Sequence, residues 1–189
     1  KAMHETVRIE KSVYGGDGLG RLADGRAVFV PFTLPGEEVL VEIVEDNRNF
    51  TRGQALEIRS PSAWRAAPRC PHFGICGGCH YQHLAYADQL ELKLQVLTDQ
   101  LQRLGGISNP PLSGISPSRE TWNYRNQVQF HLDAQGQPGY MDHTGKQVLP
   151  ISECFLPQLE LEALRLQLDL SPDAGLTRAG ERRVVSKRM

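Results

Sequence analysis

The sequence predicts a mainly β protein, a small five-stranded barrel followed by a second domain of mixed α and β structure. Three observations favour this fold class. Apolar and polar residues alternate in short runs over the first 60 residues, turn signals separate these runs, and a long helix-period segment comes only later. The chain has 189 residues, which is room for one domain or two small ones.

The strand-like runs of the first part have the period of half-buried strands. They lie at residues 6–10, 27–30, 39–44 and 56–58. Glycine, proline and asparagine turn signals stand between them, as at Pro35-Gly36 and Asp46-Asn47. A short segment with about five strands suits an OB-type barrel better than a sandwich, which needs more strands. We therefore assign residues 4–60 to such a barrel.

A helix is predicted early in the second domain, which we place at residues 61–170. It runs from Tyr86 to Leu104 and ends at Gly105-Gly106. Its leucines form a stripe at four-three spacing, which we expect to pack on the core of their own domain rather than in a coiled coil. The stripe consists of Leu90, Leu94, Leu97, Leu101 and Leu104.

After a linker-like loop at 107–121, strand and helix patterns return. Val128, Phe130 and Leu132 alternate with polar residues, and two further strands are predicted at 140–142 and 147–151. A helix is predicted within 156–170. Residues 171–189 are interpreted as a tail or the start of a truncated region, because a strand begins at Val184-Val185 and the chain stops soon after. We expect the chain to be the front part of a longer protein.

The composition excludes several classes of protein. Hydrophobic residues make up 40% and charged residues 23%, which indicates a folded chain, and the net charge of −1 excludes a strongly basic nucleic-acid binder while leaving room for a local basic patch. No apolar run is long enough to span a bilayer, and no signal peptide is recognisable. We predict a cytoplasmic monomer with no membrane partner.

The four cysteines are the strongest chemical signal. Cys70, Cys76 and Cys79 form C-x5-C-x2-C, and Cys154 stands far along the chain. A 4Fe–4S cluster suits three close thiolates and one remote one, each binding one iron. Zinc remains an alternative, including a site in which a nearby histidine replaces one cysteine, and so do thiols or disulfides.

The loop around these cysteines favours the cluster. Pro71 stiffens the turn after the first thiolate, and Gly74, Gly77 and Gly78 let backbone N–H groups approach inorganic sulfide. By contrast, the run GGDGLG at 15–20 is not a dinucleotide-binding motif, because its spacing is wrong and no helix pattern follows it. It predicts a hairpin turn at the rim of the barrel.

Several motifs resemble those of the RNA uracil-5 methyltransferases. GGDGLGR at 15–21, Val30-Pro31 and LPGE at 34–37 are similar to a TRAM domain. The segment APRCPHFGICGGCHYQHL at 67–84 resembles the iron–sulfur loop of that family, and Gln89-Leu90 and Lys93 continue the match. Tyr124-Arg125-Asn126 and Cys154-x-Leu156 resemble a central-domain strand and the fourth ligand. The resemblance covers residues 5 to about 165.

The resemblance implies an S-adenosylmethionine-dependent enzyme that makes 5-methyluridine in RNA. In that family a cysteine thiolate attacks carbon 6 of uracil, carbon 5 takes the methyl group, and a base removes its proton. The nucleophilic cysteine, the base and the cofactor site belong to a C-terminal Rossmann-like domain that we expect to be absent from this chain. If all four cysteines bind the cluster, no thiol nucleophile remains. We therefore assign no catalytic or S-adenosylmethionine-binding residue and predict that the chain alone is inactive.

The resemblance also implies a partner and a set of contacts. The combination of a TRAM-like segment with a cluster-like cysteine loop resembles that of the enzymes acting on large-subunit ribosomal RNA. We therefore expect 23S ribosomal RNA as the partner, and transfer RNA is the second candidate. An OB-type face offers stacking and phosphate contacts. Our candidate RNA contacts are Arg21, Arg48, Phe50, Arg52 and Arg125, with Arg26 as a further barrel candidate. A zinc- or cluster-stapled RNA-binding module and an electron carrier remain alternatives without methyltransferase activity.

Overall fold

The computed structural model describes residues 3–133, 135, 137–167 and 182–186. The chain forms two compact units. The first contains Lys1–Ala67 and His80–Pro117, and the second contains Pro68–Cys79 and Ser118–Met189. Among the described residues, no helix is long and apolar enough to cross a membrane.

Five strands form a closed barrel in the first unit, which confirms the predicted OB-type barrel. They are β1 (Met3–Ser12), β2 (Gly18–Arg21), β3 (Ala27–Val30), β4 (Glu38–Asp46) and β5 (Phe50–Ser60). The order around the barrel is β1-β2-β3-β5-β4, and β4 pairs with β1 to close it. The β3–β5 pair is parallel and the other four pairs are antiparallel.

Branched apolar side chains at alternating positions fill the barrel. Each is at most 1% exposed: Val7, Ile9, Val28, Val30, Val39 and Val41. The barrel also explains two glycines of the run at 15–20. A Cβ on Gly18 would lie 2.1 Å from Thr33 Oγ1, and one on Gly20 would lie 2.4 Å from Val7 Cγ1. These glycines are therefore required by packing inside the barrel.

A buried ion pair fastens the segment after β5 to the barrel. Glu37 is fully buried, and its carboxylate accepts from Arg65 Nε at 2.6 Å and from Arg65 Nη2 at 2.7 Å. The N–H groups of Leu34 and Ser62 also donate to it, at 2.8 and 3.1 Å. Burial alone would raise the pKa of Glu37, but Arg65 and these N–H groups outweigh burial and hold the pKa below its ordinary value.

The long helix is α1 (Tyr86–Arg103), as predicted, but the face that it buries is different. Leu92 is 1% exposed and packs with Leu34 and Leu84, whereas Leu97 and Leu104 of the predicted stripe are 44% and 79% exposed. The predicted stripe is therefore not the fully buried face of the helix, although Leu90, Leu94 and Leu101 are partly buried. Leu92 lies roughly opposite that stripe on the helix, since successive residues turn by about 100°.

The second unit contains a four-stranded antiparallel sheet and a short helix. Its strands are β6 (Gln127–Leu132), β7 (Pro138–Met141), β8 (Val148–Pro150) and β9 (Arg182–Ser186), in the order β8-β7-β6-β9. Val128, Phe130 and Leu132 are buried, as their alternation predicts. The helix α2 (Leu159–Gln167) lies within the predicted 156–170, of which residues 168–170 are outside the described residues.

The two units do not follow the predicted division at residue 60. The helix α1 belongs with the barrel, and only Pro68–Cys79 of the intervening segment joins the sheet of the second unit. Two contacts show why: Leu92 shares an apolar cluster with Leu34, and Lys11 Nζ on β1 lies 2.6 Å from Asp99 Oδ1 on α1. The strand predicted at Val184-Val185 is β9, which pairs with β6, so it is part of the second unit's sheet.

Candidate nucleic-acid interface and metal centre

An aromatic pair lies on the outer face of the barrel, where the strands β2, β3 and β5 are neighbours. Phe29 on β3 and Phe50 on β5 have ring centroids 6.0 Å apart at an interplanar angle of 77°, and both are half-buried. Leu19 on β2 is aligned with Phe29, and Phe29 is aligned with Arg52. We call Leu19, Arg21, Phe29, Phe50 and Arg52 the barrel face.

The arginines of the barrel face are exposed but already have acidic neighbours. Arg52, 52% exposed, lies over the Phe50 ring with Cζ 6.0 Å from its centroid, and its guanidinium is 3.3 Å from Asp17 and 3.5 Å from Glu45. Arg21, 57% exposed, donates to the Gly25 carbonyl at 3.0 Å and is 3.9 Å from Glu10. An incoming phosphate must therefore compete with carboxylates for both side chains.

The turn between β4 and β5 carries another predicted contact and an internal fastening. Arg48 is exposed there. Arg26, from the β2–β3 turn, instead binds Asp24 at 2.7 Å, the Asp46 carboxylate and the Asn47 carbonyl at 3.1 Å. Arg26 thus ties two turns of the barrel together, whereas Arg48 is exposed to solvent.

The fifth predicted contact, Arg125, lies in the second unit and is exposed. Burial raises the pKa of Cys76, and the positive charge of Arg125 opposes part of that rise. Close to it in sequence, Trp122 is half-buried and its ring centroid is 6.1 Å from that of Phe155. Arg69 stacks on both rings, with Cζ 4.1 Å from the Phe155 centroid and 5.1 Å from the Trp122 centroid. Tyr124 is 49% exposed.

The four cysteines all belong to the second unit, and their charges act on one another. All four are partly buried thiols. Burial raises the pKa of Cys76, while the Gly78 N–H, 3.4 Å from its sulfur, lowers it, and the charges of Cys154 and Cys70 raise it again. Burial also raises the pKa of Cys154, on which Cys79 and Cys70 act in the same direction. The remote cysteine is therefore within electrostatic range of the loop cysteines.

Backbone hydrogen bonds hold the cysteine loop against the β7–β8 hairpin. Gly77 N–H donates to the Met141 carbonyl at 2.9 Å, and His143 N–H donates to the Ile75 carbonyl at 2.8 Å. A Cβ on Gly77 would lie 2.8 Å from the Asp142 carbonyl oxygen, so only glycine allows this approach. The loop geometry is thus set by a hairpin more than sixty residues away in sequence.

The segment that carries Cys154 is held by α2. Glu162 Oε1 accepts from the Cys154 N–H at 3.0 Å. Arg165, 5% exposed, binds Glu162 at 2.7 and 2.9 Å and donates to the carbonyls of Ile151 and Ser152 at 3.3 and 3.1 Å. Burial raises the pKa of Tyr140, and the charge of Cys154 adds to this rise.

Sequence reasoning missed four residues of these sites. They are Phe29 on the barrel face, and Tyr140, Glu162 and Arg165 around Cys154. Phe29 lies in an apolar run that predicted a strand but gave no indication of a binding residue. The Glu162–Arg165 pair has the i,i+3 spacing of a helical ion pair, which was a detectable signal. Its target, the Cys154 segment, depends on the tertiary fold.

The arrangement of the possible ligand side chains does not by itself support the predicted metal centre. No group of three or more His, Cys, Asp or Glu side chains among the described residues is arranged to hold one metal ion. A single zinc requires all its ligand atoms at about 2.0–2.3 Å from one point, whereas a four-iron cluster takes each thiolate at a different iron. The 4Fe–4S cluster therefore remains a prediction.

The histidines of the zinc alternative lie in different surroundings. His72 is in the second unit, with Nε2 3.2 Å from Ser152 Oγ. His80 and His83 belong to the first unit. His83 is 1% exposed, and burial, together with the positive charge of Arg65, lowers its pKa to about 4. A ring buried beside the Glu37–Arg65 pair has the surroundings of a core histidine.

Comparison with known proteins gives four informative matches. Residues 4–56 match the TRAM domain family. An uncharacterized RNA methyltransferase of Aquifex aeolicus is 37% identical over 158 residues, 84% of this chain and 37% of the relative, and one of Porphyromonas gingivalis is 43% identical over 115 residues, 61% of this chain and 24% of the relative.

The fourth match is a solved structure. The Pyrococcus abyssi tRNA (uracil-54, C5)-methyltransferase, in complex with S-adenosyl-L-homocysteine, superposes with a TM-score of 0.54 at 26% identity, covering 82% of this chain and 33% of that chain. The chain spans roughly a third of the length of the curated relatives that it matches.

Proposed function

We propose that this chain, which carries a TRAM domain and is homologous to RNA methyltransferases, holds RNA for an S-adenosylmethionine-dependent RNA uracil-5 methyltransferase. The observation that carries the proposal is the aromatic pair Phe29–Phe50 with Arg52 over it, on the outer face of an OB-type barrel. OB barrels bind oligonucleotides on the face of strands 2 and 3 and on the loops between strands 1 and 2 and between strands 4 and 5. The barrel face and Arg48 occupy these places.

The chemistry of the barrel face suits single-stranded RNA. Aromatic rings stack on unpaired bases, and arginines next to them contact the phosphates. Because Arg52 and Arg21 already lie near carboxylates, and because the net charge is −1, few counterions are released on binding. We expect about 2 to 4 of them and therefore weak, only mildly salt-dependent binding.

The cysteines hold the second unit together in this proposal. Cys70, Cys76, Cys79 and Cys154 are the ligands of a 4Fe–4S cluster, which when bound joins the loop at 70–79 to the Cys154 segment. Glu162 and Arg165 fix the backbone on the Cys154 side, and the β7–β8 hairpin fixes the loop side. Arg125 offers its positive charge beside these thiolates. Nothing in this arrangement requires electron transfer, so we favour a structural cluster over an electron carrier.

Methyl transfer takes place outside these residues. A thiolate nucleophile is needed for attack on carbon 6, and the proposed cluster takes all four cysteines of the chain. The chain by itself is therefore expected to bind RNA without methylating it. A methyl-transfer assay with labelled S-adenosylmethionine checks this directly, and incorporation above background by the isolated chain would contradict it.

Ribosomal RNA remains our preferred partner, and transfer RNA is the second candidate because the Pyrococcus abyssi enzyme acts on it, as its name states. Equilibrium binding of the chain to 23S ribosomal RNA fragments and to whole transfer RNA, at matched salt, separates the two. Preference for transfer RNA would overturn the ribosomal assignment and leave the RNA-binding role in place.

A stacking variant tests the proposed function. Phe50→Leu keeps apolar volume against Phe29 but removes the ring, so it should weaken RNA binding about fivefold or more, since stacking contributes ~1–3 kcal/mol per base. Val44→Ala on β4, where Val44 is 58% exposed and outside the barrel face, is the matched control. Equal affinities for wild type, Phe50→Leu and the control would refute RNA binding on this face.

A further inference from the structure

We propose that a groove in the first unit, next to the barrel face, binds one nucleotide of the same single-stranded RNA, with its base between tyrosine side chains and its phosphate on Lys93. This inference rests on the proposed function. The groove has a volume of about 560 Å3 and lies between the β1–β2 turn and α1. Its lining includes Tyr14, His80, Tyr81, Lys93 and Leu97.

Both walls of the groove are held in place by contacts within the first unit. Gly16 has φ +98°, and a Cβ on it would lie 2.8 Å from His80 Cβ, so the β1–β2 turn is pressed against residues 80 and 81. On the other side, the Lys11–Asp99 ion pair, 2.6 Å long, joins β1 to α1. A groove with fixed walls loses little conformational entropy when a ligand enters it.

The lining has flat aromatic surfaces that solvent can reach. Tyr14 is 80% exposed and has a glycine as its neighbour in the turn. Tyr81 packs edge-to-face with His80, with ring centroids 6.3 Å apart. Leu97 is 44% exposed and extends the apolar surface along α1. Exposed rings next to an apolar side chain are typical of stacking platforms for single-stranded nucleic acid.

The charge of the groove favours an anion. Lys93 Nζ lies 5.5 Å from the Tyr81 ring centroid, and Lys93 takes part in none of the ion pairs formed by the described residues. The nearby acids do have cationic partners: Asp99 pairs with Lys11 and Arg103, and Asp17 pairs with Arg52. One ammonium group beside the exposed Tyr14 ring and the partly buried Tyr81 ring suits a base that carries a phosphate.

The groove is continuous with the barrel face. Asp17 belongs to the β1–β2 turn that forms one wall, and its carboxylate is 3.3 Å from Arg52 of the barrel face. The same carboxylate is close enough to Tyr81 to contribute to its raised pKa, after the larger effect of burial. A strand stacked on Phe50 and Phe29 therefore reaches the groove by passing Arg52 and the turn.

Binding of fluorescent single-stranded oligoribonucleotides to the intact chain tests this inference. Tyr14→Ala should lower affinity about 5- to 150-fold, the range that loss of one stacked base produces, and Tyr14→Phe should retain wild-type affinity. Lys93→Gln should make the slope of log affinity against log salt shallower by about 0.7, because one phosphate contact is lost. Lys146→Gln, which removes an exposed lysine of the second unit, is the matched control and should leave the slope unchanged.

The outcomes separate the groove from the barrel face. If Phe50→Leu weakens binding while Tyr14→Ala and Lys93→Gln behave as wild type, the groove inference is overturned and the proposed function stands. If none of the three variants changes RNA binding, both are overturned. A photo-crosslink from a base of bound RNA to a peptide containing Tyr14 or Tyr81 would support the groove even if the stacking variant fails to fold.

Discussion

Replacing Arg65 with methionine should destabilise the first unit by about 3 kcal/mol at pH 7. The variant removes two hydrogen bonds, of 2.6 and 2.7 Å, from a carboxylate that is fully buried, and leaves the Glu37 charge with only the Leu34 and Ser62 N–H groups. Breaking one side of a buried pair costs roughly 3–5 kcal/mol, and we take the lower end because the Arg65 side chain is 25% exposed and water can approach Glu37 in the variant.

The pH dependence of this loss has a definite sign. In the wild type the folded pKa of Glu37 is below its ordinary value, so its contribution to stability is present above the unfolded pKa and is lost as pH falls through the folded pKa. In Arg65→Met burial is no longer opposed by the guanidinium, and the folded pKa moves above the unfolded one. The stability difference between the two proteins should therefore narrow as pH falls from 7 to about 5.

Urea unfolding followed by Trp64 fluorescence measures this difference, in a Trp122→Phe background that leaves one reporter in the first unit. The midpoint should fall with little change in slope. Arg59→Met, which removes exposed contacts with Glu57 and Thr6, is the control and should change stability by less than about 0.5 kcal/mol. Two results would refute the reasoning. One is a urea midpoint for Arg65→Met equal to that of the control, and the other is a stability difference between wild type and Arg65→Met that widens at low pH.

Three further predictions concern the metal centre and the RNA. Protein prepared without oxygen should contain about four iron and four sulfide per chain; stoichiometric zinc without brown absorbance would contradict the cluster. Cys154→Ser should make the second unit sensitive to limited proteolysis while the barrel stays resistant, because the remote ligand is lost; resistance equal to wild type throughout would exclude the cross-linking role. Arg48→Ala combined with Arg52→Ala should lower RNA affinity and flatten the salt slope together, whereas Phe50→Ala should lower affinity at unchanged slope, since stacking releases no ions. Arg8→Ala on β1, outside the barrel face, is the control for the arginine variant.

Much of the barrel was readable from the sequence because the relevant signals are local. Alternation of apolar and polar residues follows directly from the period of a strand, so this pattern alone places Val7, Ile9, Val39 and Val41 on the inside of the barrel, where they are buried. The turns between strands also carry their own chemistry, in glycine, proline and asparagine. The spacing of the three cysteines in the loop at 70–79 is likewise a local feature of the sequence.

The face of α1 that packs was decided only by the tertiary structure. A helix with apolar residues on two sides has two possible buried faces, and its own sequence does not choose between them. Leu92, rather than the longer leucine stripe, is buried because Leu34 and Leu84 from other parts of the chain form an apolar surface at its position. The Lys11–Asp99 pair fixes the same orientation.

The sites show the same division. The sequence alone determined the kinds of side chain available: arginines beside a phenylalanine at 48–52, and four cysteines. Only the tertiary structure brought Phe29 next to Phe50, through a parallel pairing of β3 with β5. It also brought Glu162 and Arg165 of α2 into contact with the segment that carries Cys154. Local patterns record the period of a strand or helix, whereas contacts between distant residues depend on which strands pair and which faces meet, and no single segment contains that information.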